Sequence, residues 1–284
     1  MLTRPDLTLS EFMTKAAARA VREFRNRTAR INPHPLIFLG KGKSGTTAIA
    51  ALFAQATGQS VALDIPALFI DGLRPILTGR SHLRNVIRRE RIAFSNDILK
   101  QPTLTWLYPQ LKERFPGARY AFILRDPRDN IRSLFNRMGI PGNLRDLSEE
   151  QRAKIDSGWR WHFEEPHLLG LTGADYIELS AERWNRAADV YLQNSSEMLL
   201  IRYEDFLADR IGSIGSLADQ LGLAIVKDIR SSLDHEFQPR GRDRGSNPGD
   251  FFGEENLAKI VEICGVRMRR LGYDPDHFTM ASDR

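Results

Sequence analysis

Apolar residues in this chain fall into short continuous runs, and between the runs they recur every three or four positions. Leu36-Ile37-Phe38-Leu39 follows Asn32-Pro33-His34-Pro35, whose prolines cannot continue a helix. Four consecutive apolar residues suit a strand buried on both faces of a parallel sheet. The same pattern predicts strands at 60–63, 92–95, 120–124 and 198–201. Helical spacing covers 46–56, 103–114, 129–137 and 181–193, and a last amphipathic helix occupies 254–271. Strands alternating with helices predict βαβ units and an α/β fold of three layers, a mainly parallel sheet with helices on both faces.

Two stretches interrupt that alternation. Residues 139–175 are polar, with Trp159, Trp161 and Phe163 in the middle, and read as a helical cap lining an acceptor site rather than a core βαβ unit. Residues 238–253 are dense in Arg and Gly. No repeat or linker divides the chain, so 1–284 is expected to be one domain. Ahead of the first strand, residues 8–31 read as a basic amphipathic helix. Ser10 is its cap, Phe12, Ala16, Ala20 and Phe24 share a stripe, and Lys15, Arg19, Arg22 and Arg25 lie elsewhere. Packing on the domain is the simpler reading of that helix, and contact with a membrane surface or a partner the alternative.

Composition narrows the compartment more than the activity. No apolar run reaches the roughly 20 residues needed to cross a bilayer, and the N-terminus lacks the apolar core of a secretory signal. The single cysteine, Cys264, cannot form an internal disulfide, so a reducing, cytoplasmic setting is expected. Its neighbours Ile260, Val261, Ile263 and Val266 predict a buried packing role. A net charge of +5 implies an anionic partner. Charge alone leaves nucleic acid, acidic lipid and a phosphorylated small molecule open.

The chemistry begins at Gly40-Lys41-Gly42-Lys43-Ser44-Gly45-Thr46-Thr47, between the first strand and the next helix. Glycines let successive backbone N–H groups converge on an anion, and the helix adds its free N–H groups and positive dipole end. Lys43 brings a mobile charge, and Ser44, Thr46 and Thr47 bring hydroxyls. A nucleoside triphosphatase loop places Lys after its last Gly, followed by a hydroxyl for Mg²⁺. Here Thr46 stands at the lysine position and the lysine comes earlier.

Lys43-Ser44-Gly45-Thr46-Thr47 instead resembles the P-K-S-G-T-T loop of sulfotransferases that use 3′-phosphoadenosine 5′-phosphosulfate (PAPS), with Gly42 replacing the Pro. A second segment strengthens the resemblance. Tyr120 to Leu124 is an apolar strand, and Arg125-Asp126-Pro127-Arg128-Asp129 follows, with Ser133 eight residues after Arg125. It is similar to the family's 3′-phosphate segment, a strand followed by R-[ND]-P-[KR]-D. Asp126 is a natural N-cap, Pro127 fits the first helical position, and Asp129 in the first turn favours the helix dipole. By resemblance, Arg125 and Ser133 bind the donor's 3′-phosphate.

Weaker echoes follow. Tyr203-Glu204-Asp205 resembles the strand-terminal Y-E-D of the family, and Arg242-Asp243-Arg244-Gly245 with Gly249-Asp250-Phe251 resembles its R-K-G…G-D-W segment. The resemblance therefore implies a P-loop-nucleotidase-like sulfotransferase fold. It also implies a donor site built from the 41–47 loop, Arg125, Ser133, Tyr203, and Arg242 or Arg244 with Gly245. Departures are plain: Ala48 occupies the place of an adenine-stacking Trp, and Leu99-Lys100-Gln101-Pro102 lacks the catalytic His of cytosolic members.

The implied activity is sulfuryl transfer from PAPS to a hydroxyl, in preference to an amine, of a small-molecule, glycan or lipid acceptor, with no metal and no nucleic acid. Lys43 is placed at the bridging oxygen and Lys100 near the sulfuryl group. Asp64 corresponds to the carboxylate base of glycan- and sugar-modifying members, although capping the next helix is an equal reading of it, and His82 is a poorer base. Phe69, Trp106, Trp159, Trp161 and Phe163 are candidates for the acceptor pocket or for the core. The competing activities are a kinase or triphosphatase and a non-catalytic basic module for nucleic acid.

Overall fold

The computed structural model describes residues 21–237 and 247–277, apart from residue 22. Five strands, β1 (Leu36–Gly40), β2 (Val61–Ala62), β3 (Ile98–Lys100), β4 (Arg119–Leu124) and β5 (Met198–Arg202), form one sheet in the order β2-β3-β1-β4-β5. All four pairings are parallel. The chain leaves β1 toward β2 and leaves β4 toward β5, so the carboxyl ends of neighbouring β1 and β4 diverge. That divergence is where open α/β sheets bind ligands.

Successive residues of a strand point to opposite faces, and the core divides accordingly. Leu36 and Phe38 of β1 and Ala121 and Ile123 of β4 pack against Ile49 and Phe53 of α1 (Thr46–Thr57) and against Phe206, Ile214 and Leu217. On the other face Ile37, Leu39, Tyr120, Phe122 and Leu124 meet Phe135, Tyr176, Trp184 and Ile260. The first set of partners comes from α1 and the helices Tyr203–Ala208 and Arg210–Gln220, the second from the helices Pro127–Met138, Tyr176–Gln193 and Pro248–Arg270. These helices are the outer two of the three predicted layers.

In chain order the remaining helices are α2 (Ile70–Leu77), α3 (Leu83–Arg89), α4 (Tyr108–Arg114), α5 (Pro127–Met138), α6 (Glu149–Lys154), α7 (Ser157–Glu164), α8 (Tyr176–Gln193), α9 (Tyr203–Ala208), α10 (Arg210–Gln220) and α11 (Pro248–Arg270). Four predicted strands correspond to β1, β2, β4 and β5. The expectation for 92–95 fails: Ala93–Ser95 is a 3-10 turn and β3 lies at Ile98–Lys100. Local side chains explain the shift, because Ser95 Oγ and Asn96 Nδ2 both donate to Ile92 O and satisfy backbone that a sheet would need. The helix expected at 103–114 is a 3-10 segment, Pro102–Leu107, followed by α4. α8 starts five residues before the predicted 181, where Asp175 accepts from Ile177 N and Glu178 N. α11 starts at Pro248 and is kinked at Gly253, whose φ is 69°.

The segment between α5 and α8 contains only short helical pieces, α6, α7 and the 3-10 turn Pro166–Leu169. Of the N-terminal helix, residues 23–28 are helical and Phe24 is exposed, whereas the part before residue 21 lies outside the described residues. Arg242, Arg244 and Gly245 also lie outside them. Cys264 is fully buried against the Ala181 carbonyl, and burial pushes its thiol pKa up, as packing rather than reactivity requires. Among the described residues, no helix is long and apolar enough to cross a membrane.

Candidate active site

The glycine-rich loop leaves β1 through Gly40, which lies against the backbone of β4. A Cβ there would come within 2.3 Å of Ile123 O, and its φ of 134° also favours glycine. Lys43 (φ 72°) and Gly45 (φ 83°) are left-handed, so the chain curls before α1 begins. Alternation of left- and right-handed residues turns successive N–H groups into one concavity. Gly45 is fixed from behind by Tyr203, whose ring would lie 2.3 Å from an added Cβ.

The second motif grips this loop. Asp126 caps α5 by accepting from Arg128 N, and Glu204 accepts from Asp126 N, which secures the β4–α5 corner. From that corner Arg125 reaches the loop: Nη1 donates to Lys43 O at 3.1 Å, and the guanidinium lies 4.6 Å from the centroid of the Tyr203 ring. Its own carbonyl accepts from Trp184 Nε1, and its buried Nε has no partner. Ser133 lies further along α5 and is half-buried.

Asn130, a turn into the same helix, was not marked by sequence reasoning. It is fully buried and joins three points of the loop. Its Oδ1 accepts from Lys41 Nζ at 2.6 Å, and its Nδ2 donates to Gly42 O and Ser44 Oγ at 3.0 and 2.9 Å. A signal for it is that Asn130 lies one turn before Leu134, on a face of α5 that is buried. Lys41 is thereby drawn beneath the loop, where burial and the neighbouring Arg183 lower its pKa to about 7. Lys43 is lowered to about 8, by burial first and then by Arg137, Arg125 and Lys100.

In front of the loop lies a cavity of about 380 Å³. Lys43, Thr46 and Thr47 form one wall, and Asp64 and Lys100 stand at the ends of β2 and β3. Phe69, Trp106, Trp159 and Trp161 supply apolar surface, the last two from α7 in the predicted cap. Phe163 is buried in the core and does not line the cavity. Lys100 Nζ is 2.8 Å from Asp64 Oδ1, and burial lowers the lysine pKa while Asp64 opposes that shift. Asp64 does not cap a helix, because the next turn is capped at Ile65 without a side-chain bond. His82 is the N-cap of α3, its Nδ1 accepting from Arg84 N, and lies outside the cavity.

A sequence model of the sulfotransferase family matches residues 66–228, more than half of the chain. The chain belongs to the sulfotransferase family. Among solved structures, a sulfotransferase from Mycobacterium avium superposes with a TM-score of 0.55 at 12% identity, covering 91% of this chain and 81% of that one. That likeness shows the same fold. A sulfotransferase from Alicyclobacillus acidocaldarius matches at 17% identity and TM-score 0.47, covering 87% of this chain and 98% of the other. A mouse sulfotransferase complexed with PAP matches at 13% identity and TM-score 0.47, covering 87% and 89%. No protein of curated function matches the chain by sequence. The family match begins after the glycine-rich loop, so the reading of that loop rests on its own residues and geometry.

Proposed function

We propose that this sulfotransferase takes its sulfuryl group from PAPS and passes it to a hydroxyl of an acceptor held in the 380 Å³ cavity. The observation that carries the reading is the bond from Arg125 to the Lys43 carbonyl, which ties a half-buried, partly unsatisfied guanidinium to a curled anion-binding loop. Two phosphate-binding elements held together suit one nucleotide with phosphates at both its 5′ and 3′ positions. The loop N–H groups with Ser44, Gly45, Thr46 and Thr47 bind the 5′ side. Arg125 and Ser133 bind the 3′-phosphate, with Tyr203 backing the loop.

Sulfuryl transfer makes the demands of phosphoryl transfer, namely in-line geometry, a stabilised leaving group and an activated nucleophile. Lys43 donates to the bridging oxygen as negative charge grows there, and the loop N–H groups hold the non-bridging oxygens. Asp64, exposed toward the cavity, accepts the acceptor's proton. Lys100 orients Asp64 and adds positive charge beside the sulfuryl group. The acceptor is a small molecule, a glycan or a lipid whose apolar or sugar face stacks on Trp106 and Trp159.

Calorimetry tests the donor. Adenosine 3′,5′-bisphosphate should bind without metal and far more tightly than ADP. Equal affinities, or a strict need for Mg²⁺, would favour a kinase instead.

A further inference from the structure

The cavity is also lined by a group of cations whose charged side chains have no part in the transfer step proposed above. Arg183, on α8, is 1% exposed, and its Nε and Nη1 are buried without any hydrogen bond. Only Nη2 is engaged, donating to the backbone oxygen of His162 at 2.9 Å. The indole of Trp161 covers the guanidinium, with 4.3 Å between Arg183 Cζ and the ring centroid. Lys41 is the neighbouring cation, and among the described residues its one side-chain partner is the neutral Asn130. Arg137 lines the same cavity from the end of α5.

Among the described residues no carboxylate answers these charges. Among the described residues no acidic side chain pairs with Arg183, Lys41 or Arg137. The cavity has, among the described residues, two acids, Asp64 and Asp156. Asp64 is taken by Lys100, and Asp156 caps α7 by accepting from Gly158 N. His162 cannot help, since burial and the nearby Arg183 and Lys41 hold its imidazole neutral. A buried guanidinium with free N–H groups and no counter-charge is costly to fold. Such a cost is kept at places where a ligand relieves it.

We propose that Arg183, with Lys41 beside it, binds an oxyanion, and that this oxyanion is the acidic group of the acceptor: a carboxylate, sulfate or phosphate on the molecule that receives the sulfuryl group. The proposal deepens the PAPS-dependent reading above and rests on it. Nη2 has a second N–H besides the one given to His162, and with the free N–H beside it, on Nε or Nη1, it makes a planar fork that matches the two oxygens of such an anion. The donor's own anions are met elsewhere, by the loop and Arg125, so the pair at Arg183 is left for a second anion. Arg183 lines the cavity, and Trp161 stacked on its guanidinium makes tryptophan emission a reporter of occupancy.

The test uses the full chain saturated with adenosine 3′,5′-bisphosphate, so that the donor's phosphate sites are already filled. 4-Hydroxyphenylacetate, its neutral amide and inorganic sulfate are titrated by calorimetry and by tryptophan fluorescence. The wild-type protein should bind the acid about tenfold or more tightly than the amide, as a charge-assisted double hydrogen bond requires. Arg183→Met should bring acid and amide together while leaving bisphosphate affinity unchanged, and should raise the melting temperature of the free protein by removing an unpaired buried charge. Arg183→Gln serves as the second variant should the methionine fail to fold. Equal binding of acid and amide by wild type, no binding of any probe, or a preference that survives in both variants would overturn the proposal. Sulfate bound through Arg183 with acid and amide alike would also overturn it, in favour of a free inorganic ion. Failure of bisphosphate to bind at all would instead remove the donor reading.

Discussion

Lys100 Nζ and Asp64 Oδ1 lie 2.8 Å apart, with the lysine side chain 1% exposed and the aspartate 44% exposed. The asymmetry gives the pair a direction. The lysine is enclosed and has little freedom to move, while the carboxylate keeps an open face toward the cavity.

If Asp64 takes the acceptor's proton, Asp64→Asn should leave bisphosphate affinity intact and lower turnover roughly 10²–10⁴-fold, the usual range for loss of a general base. Lys100→Met should also lower turnover, and the double variant should lose much less than the product of the two effects, because the residues act as a unit. Steady-state rates of the four proteins decide it. Near-normal turnover in Asp64→Asn would exclude the residue as the base.

Arg125 gives a different kinetic signature. The 3′-phosphate does not react, so Arg125→Ala should raise the donor KM much more than it lowers kcat. The variant also removes the bond to the Lys43 carbonyl. Some loss of kcat through a looser loop is therefore expected, but a pure kcat defect with unchanged donor binding would contradict the role.

Which parts of this site could be read from the sequence follows from the range of the interactions. Lys43, Arg125 and the corner residues Asp126 and Pro127 belong to contiguous motifs whose local conformation is set by glycine and capping chemistry. The strand Ile98–Lys100 was misread because it is three residues long and one of them is a lysine, while the more apolar 92–95 is held in a turn by its own side chains. Arg183 gave no signal. It sits mid-helix between Glu182 and Trp184, and only the packing of α7 against α8 reveals that it is enclosed. His82 looked like a candidate base because its position as a helix cap depends on where α3 starts.

Asn130 should be as important to donor binding as residues that touch the donor, although it stands behind the loop. Asn130→Ala leaves the Lys41 ammonium buried with no partner and frees Gly42 O and Ser44 Oγ from their donor. Each unsatisfied buried group costs about 1–3 kcal/mol, so the melting temperature should drop clearly and bisphosphate affinity should fall with it. Adding Lys41→Met removes the stranded charge and should recover part of the stability without recovering the affinity. Thermal melts and calorimetry on the single and double variants separate the two effects. Full recovery of affinity in the double variant would mean that the loop holds its shape without Asn130.

The electrostatics of the loop predict a pH dependence of donor binding with a definite sign. Lys43 in the free protein has a pKa of about 8, lowered by burial first and then by Arg137, Arg125 and Lys100. As pH rises through that value the ammonium is lost, so affinity for adenosine 3′,5′-bisphosphate should decline above about pH 8. Phosphate negative charge favours the protonated lysine, so binding near pH 8 should take up a fraction of a proton. Calorimetry at pH 8 in two buffers of different ionisation enthalpy measures that uptake. Lys43→Arg stays charged throughout the range and should abolish its share of the uptake while flattening the affinity profile. Stability moves in the opposite sense. An unfolded lysine titrates near 10.4, so between about 8 and 10 the folded free protein holds fewer protons than the unfolded chain, and the contribution of Lys43 to stability increases with pH. The same arginine substitution should remove that gain, so thermal melts of the free wild type and Lys43→Arg across pH 7 to 9 should show the wild type improving relative to the variant. A parallel pH response in the two proteins would mean that Lys43 is already fully charged in the empty site and that its crowding by other cations has no energetic consequence.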